Sequence, residues 1–233
     1  MISTNRCLLA LSVVLLLASC GVQPANEQDL KAKSQNDVTL PSNGISNNLA
    51  LLAAAEKFET LTEISFSANP SMREKMIAKA GKAAAGVMKF APPRLTVHLQ
   101  THIADILSAQ RKNSSADLAI ASNEAFRDLV SAVAGKQQIP LNVSLLDYAG
   151  FRFDADAQAI PARFADMHEA VVFGQEQWSG IKSWSEVAGL SERFSTALDN
   201  MELASRSGDF ALARTTAKVE LDMVDELEKA FGQ

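Results

Sequence analysis

Residues 183–233 read SWSEVAGLSERFSTALDNMELASRSGDFALARTTAKVELDMVDELEKAFGQ, and their periodicity decides the fold class. Val187, Leu190, Phe194, Ala197, Met201 and Ala204 recur every three or four residues, the repeat that lines one face of an α-helix. Ser183 stands three residues before Glu186, the spacing of a capping box, and predicts where that helix starts. Gly208 then closes it and Asp209 caps the next helix, whose stripe is Phe210, Ala213, Ala217, Leu221, Val224, Leu227 and Phe231. Two amphipathic helices joined by so short a turn predict an antiparallel hairpin.

Working toward the N-terminus, the same signals repeat. Pro161 in a first-turn position predicts a helix with Phe164, Met167, Val171, Gly174 and Trp178 on one face, ended by Ser179-Gly180. Ser114-Ser-Ala-Asp117 opens a segment carrying Leu118, Phe126, Leu129 and Val133, which Gly135 stops. Pro92-Pro93 separates a Lys- and Ala-rich helix at 71–90 from another at 94–111, and 48–66 reads as the first helix. The stretch 137–160 is ambiguous, because Leu145, Ala149 and Phe153 suit a helix while Phe151-Arg-Phe-Asp-Ala-Asp-Ala alternates like a strand. A lone strand would have no partner in this chain, so a helix is expected. The joints near 154–161 and 205–209 look loosely alike, but no fixed period supports a solenoid. The expectation is an all-α fold, an antiparallel helical bundle of about seven or eight helices in a single domain over 45–233.

Composition agrees with a globular protein. Of 233 residues, 47% are hydrophobic and 21% charged, and the net charge of −5 leaves no cationic surplus for a run of phosphates, so no nucleic-acid partner is expected. The first nineteen residues carry one cation, Arg6, then an apolar run from Leu8 and a small-residue exit, as a secretory signal does. That run is shorter than the roughly 20 residues a membrane-spanning helix needs.

Leu17-Ala18-Ser19-Cys20 resembles the lipobox of bacterial lipoprotein precursors, and all four positions fit. The resemblance implies a signal peptide at 1–19, cleavage before Cys20, and a thioether-linked diacylglycerol on Cys20, with a third acyl chain on its amino group in many bacteria. More than one acyl chain makes a stable anchor, at about 0.8 kcal/mol per buried methylene. Gly21 is not Asp, and the resemblance then implies the periplasmic face of the outer membrane. The only other cysteine, Cys7, leaves with the signal, so the mature domain has no thiol for a disulfide, a metal or a nucleophile. Residues 20–44 are polar and turn-rich, a tether of roughly 27 Å root-mean-square span if flexible.

Candidate chemistry is sparse. His98 and His102 lie four apart on one predicted helix with Asp105 three further on, a spacing at which two imidazoles and a carboxylate share a face and can chelate copper, zinc or nickel. His168, on the helix of Phe164 and Trp178, is the candidate fourth ligand. The plainer reading is a pair of core-boundary histidines. His168-Glu169-Ala-Val-Val172 lacks the second histidine of the zinc-protease helix motif. The scattered methionines read as core fillers. Trp178 and Trp184 suggest either an exposed aromatic shelf or the packing of a helix turn. The charge-dense tail Glu220, Asp222, Asp225, Glu226, Glu228 and Lys229 reads as a solvated helix face, with a cationic partner as the alternative. No nucleophile elbow, phosphate loop, dinucleotide fingerprint, haem motif or di-iron pair is found, so the expectation is no enzyme and no resident cofactor. The chain reads as a lipid-anchored binding or interaction module with a membrane lipid and an envelope protein as partners, and a periplasmic metal-binding protein is the alternative.

Overall fold

The computed structural model describes residues 42–232; the expectations for the signal, Cys20 and the tether through residue 41 lie outside the described residues. The described chain is all helical: α1 (Ser42–Ile64), α2 (Pro70–Val87), α3 (Pro93–Lys112), α4 (Ser115–Ser131), α5 (Leu141–Ala157), α6 (Phe164–Ile181), α7 (Ser191–Ser207) and α8 (Phe210–Phe231). These eight helices bear out the helical bundle.

Local chemistry sets most of the boundaries. Asn69, Ser114 and Asp209 cap α2, α4 and α8, each side chain accepting from a backbone N–H three residues on. Asn113, at φ 53°, and Gly208, at φ 68°, make the left-handed turns that reverse the chain after α3 and α7. Five boundaries differ from expectation. Helix α1 starts at Ser42 rather than at residue 48, so residues 42–44, expected in the tether, are helical. Ser183 is not a cap, because Ser185–Val187 forms one 3₁₀ turn and α7 starts at Ser191, after Gly189 has broken the run. Pro161 lies outside α6, in a cis bond with Ile160; the Arg163 N–H bonds back to the Asp156 carbonyl at 3.0 Å, which delays the helix to Phe164. That helix runs through Gly180 to the fully buried Ile181. Gly135, at φ 74°, sits in the loop four residues past the end of α4.

Two apolar clusters form the interior. One joins α1 to α4 around Phe58, Leu61, Leu99 and Leu129; the other joins α5 to α8 around Phe153, Met167, Phe194 and Met201. Helices α4 and α5 pack against each other and couple the two. The strand-like alternation of 151–157 has a simple cause. Helix α5 is packed on three sides by α4, α6 and α8, so its apolar residues are not confined to one face and the one-sided helical stripe is lost.

Two glycines carry geometric demands. At Gly150 a methyl group would collide with the Glu220 carboxylate and the Leu221 side chain, so the bare Cα permits the close crossing of α5 and α8. Gly208→Ala is expected to cost about 1 kcal/mol through its left-handed backbone. Gly150→Ala is expected to cost more, roughly 1–3 kcal/mol, because a buried crossing must open. Urea unfolding of both variants tests this order, and equal midpoints would refute it.

Candidate functional site

The histidine pair meets a residue that sequence reasoning missed. His98 Nδ1 and His102 Nε2 lie 2.9 and 3.0 Å from the same oxygen, Oδ2 of Asp128 on α4. Burial pushes the Asp128 carboxyl up, but the hydrogen bond with His102, the Arg127 charge and the hydrogen bond with His98 outweigh it and hold the group at about 2. Asp105 is exposed and stands outside this hub. His168 is not brought to the pair: it sits on α6 with Nδ1 2.9 Å from Glu202 Oε2 of α7. Among the described residues no group of three or more His, Cys, Asp or Glu side chains is arranged to hold a metal ion. The hub is a polar clamp between α3 and α4. Its signal was the turn at Asn113–Ser114: residues equidistant from it face each other, which sets 98–102 opposite 125–129.

The aromatic shelf does not form either. Trp178 is buried and donates its indole N–H to Ser195 Oγ at 2.9 Å, while Trp184 packs edge-on against Phe231. Met76, Met167, Met201 and Met223 are buried core residues, as expected of fillers.

The acidic run on α8 departs most from its reading. Glu220 is fully buried, and neither of its carboxylate oxygens has a hydrogen-bond partner. Asp222, Asp225 and Glu228 line a cleft of about 850 Å³ whose floor is α5 and whose walls are α1 and α8. Helix α1 contributes Glu59 and Glu63, and α5 contributes Asp147, Phe151 and Asp154. Asp147 is the deepest acid in the cleft, 8% exposed, with no hydrogen bond or ion pair to any described residue. At the other end Lys218 is neutralised by Asp222, 2.8 Å away, and Arg214 is attracted to Asp154.

Crowded acids in a partly dry space resist ionisation. Burial, and then the charges of Glu63, Glu228, Glu56 and Asp225, push Glu59 up to about 7. Burial and Asp225 raise Glu63 and Glu228. Burial raises Asp147 well above the carboxylate range, with Glu59, Glu220, Glu228 and Asp225 adding to it, and burial alone does the same to Glu220. The arrangement attracts positive charge, and its apolar wall of Phe151, Phe210, Val219 and Leu221 offers contact to carbon. The sequence signal was the acidic spacing on α8, but Asp147 and Glu59 fall on other helices and have no local pattern.

These shifts fix the pH dependence of stability. Folded Glu59 keeps its proton to about 7, whereas an ordinary glutamate releases it at 4.5, so the folded state binds more protons between those values. The stability this adds is whole below pH 4.5 and is lost as pH climbs through 7. The Tm is expected to fall by several degrees across that window, and Glu59→Gln should flatten the slope. A Tm rising over the same range would contradict the raised carboxyls. Comparison of the chain with protein-family models, with curated proteins and with solved structures finds no match, so the cleft's own geometry is what bears on function.

Proposed function

We propose that this chain is a lipid-anchored protein of the bacterial envelope whose helical domain is a binding module for a cationic ligand. One observation carries the binding half of the reading. Asp147, an acid almost fully buried and without a partner, faces a cleft that four further carboxylates without a salt bridge to any described residue, Glu59 and Glu63 on α1 and Asp225 and Glu228 on α8, also line. An uncompensated buried carboxyl costs stability unless something else is gained. A cation entering the cleft would relieve that cost, and the protein that binds it would be stabilised in proportion to occupancy.

The anchoring half rests on Leu17-Ala18-Ser19-Cys20 and the apolar run before it. No helix among the described residues is long and apolar enough to cross a membrane, so a membrane association of this domain would fall to acylated Cys20. Gly21 supports the periplasmic face of the outer membrane, where an envelope protein could also be a partner. Binding rather than catalysis is the better reading of the cleft, since its lining has no histidine or cysteine to pair with the carboxylates as base or nucleophile. The alternative metal reading has less support. His98 and His102 are committed to Asp128, Asp105 is exposed, and His168 is paired with Glu202 on α7.

Cys20→Ala should move the protein from the membrane pellet to the soluble fraction of the envelope; a variant that still pellets like the parent refutes the anchor. For the cleft, small organic amines and guanidines should raise the Tm by several degrees while matched carboxylates do not. The effect should disappear in the Asp147→Asn, Glu59→Gln double variant. A Tm indifferent to every cation would refute the binding reading.

A further inference from the structure

We infer that the ligand of the α1/α5/α8 cleft is a linear polyamine, an aliphatic chain with ammonium groups three to four carbons apart. The inference rests on the proposed binding role and names the chemical class of its ligand. Size comes first. A cleft of about 850 Å³ lies within the range of small-molecule sites, roughly 300–1,000 Å³.

The spacing of charge is more specific. Asp225 and Glu228 follow one another at a three-residue interval on α8, a rise of about 4.5 Å, while Asp222 one step before them is held by Lys218. Ammonium groups separated by three or four carbons stand roughly 5–6 Å apart at standard bond lengths. Glu59 and Glu63 form a second acidic rail on α1, and Asp147 of α5 lines the same cleft. A single metal ion cannot use such a rail, and no three of these acids gather around one point. A chain of spaced charges can use all of it.

Two more features favour a slim flexible chain. Phe151 and Leu221 give the methylene segments apolar contact, and Phe210, 45% exposed at the rim, can face an ammonium group. Apart from the first turn of α8, the lining residues lie within helices, whose backbone groups are already bonded to one another. The cleft therefore has little to offer the backbone of a bound peptide, which would need donors and acceptors of its own.

Proton coupling provides an independent readout. Glu59 is faced by Glu56 and Glu63 on its own helix, by Asp147 from α5, and by Asp225 and Glu228 from α8. With the cleft empty these acids share protons; a bound polycation would favour their ionised forms and expel some of them. Affinity should then rise with pH from 6 to 8, while the amines themselves stay charged.

Calorimetry of the mature chain from residue 20, carrying Cys20→Ala, tests this with spermidine as the probe and the diamine putrescine and Mg²⁺ as controls at matched ionic strength. The expected result is one-to-one binding in the micromolar range, tighter for spermidine than for putrescine by at least tenfold. Binding should strengthen at pH 8 over pH 6, with proton release detected by repeating the titration in buffers of different ionisation heat. Asp147→Asn, which removes an unpartnered buried acid and should fold, is expected to weaken spermidine binding at least tenfold, as is Glu59→Gln combined with Glu63→Gln. Circular dichroism and urea unfolding confirm that each variant is folded. Spermidine binding no tighter than putrescine or Mg²⁺, or unchanged by Asp147→Asn, overturns the inference. If a lysine-rich peptide binds with dependence on Asp147 and spermidine does not, the polyamine is refuted and the cationic cleft stands. If no cation binds, both readings fall.

Discussion

The packing of α4 against α5 orients the rest of the structure, because a chain of charges crosses it and allows α5 one rotation about its own axis. Glu124 of α4 accepts from the Tyr148 hydroxyl at 2.9 Å, pairs with Arg127 at 2.8 Å and also binds Arg152. Arg152 Nε in turn holds the fully buried Asp156 at 2.7 Å, and Arg163 returns to α4 by pairing with Asp117 at 2.5 Å. Asn123 adds a bond to the Tyr148 carbonyl at 2.8 Å. Buried charges are tolerated when each meets an opposite charge and further hydrogen bonds, and across the helix pair each carboxylate of the network meets a guanidinium, although Asp156 Oδ1 has no hydrogen bond among the described residues and only Arg163 at 3.8 Å. With Tyr148 and Arg152 committed to α4, helical geometry sends Val143, Leu146, Phe153 and Ala157 into the second apolar cluster. The remaining face, Asp147, Phe151 and Asp154, is left to the cleft.

The acids of that face stand in contrast to the seam. Along the seam between α4 and α5, Asp117, Glu124, Asp128 and Asp156 each have a guanidinium partner, and the Asp128 carboxyl is held well below the usual range by His102, Arg127 and His98. In the cleft the carboxyls of Glu59, Glu63, Asp147 and Glu228 are raised, and Glu220 is sealed against Gly150 with no partner at all. A chain selected for stability alone would fill such positions with apolar or paired residues. Departures from that rule cluster where a protein does its work. The contrast between a neutralised seam and an unneutralised cleft a helix-width away is what singles out the cleft.

How much could be read beforehand follows from the range of each interaction. Helices α7 and α8 were legible because a helical stripe is a local repeat, and Gly208 and Asp209 because left-handed backbone and N-capping are chemistry within a few residues. Ser183 misled because a capping-box spacing recurs without a helix behind it when Gly189 follows. Helix α5 was ambiguous for the opposite reason: three neighbouring helices use three of its faces, and no single stripe survives. The His98–His102 pair was legible as a pair on one face, but its partner was assigned to Asp105, one turn along the helix, when the nearer group in space is Asp128 across the hairpin.

The sequence by itself determined the helices, their caps and the left-handed turns between them, because these depend on side chains a few positions apart. It also determined the acidic excess of α8. The tertiary structure alone decided which of those acids are solvated and which are buried. Asp147, Glu59 and Glu220 come from three helices far apart in the chain, and the burial and mutual repulsion that alter their ionisation exist only once α1, α5 and α8 are packed together. His168 and the His98–His102 pair were equally free to converge or to separate as far as the sequence went. Packing α6 against α7 gave His168 to Glu202, since a side chain can bond only with what its own helix face is set against.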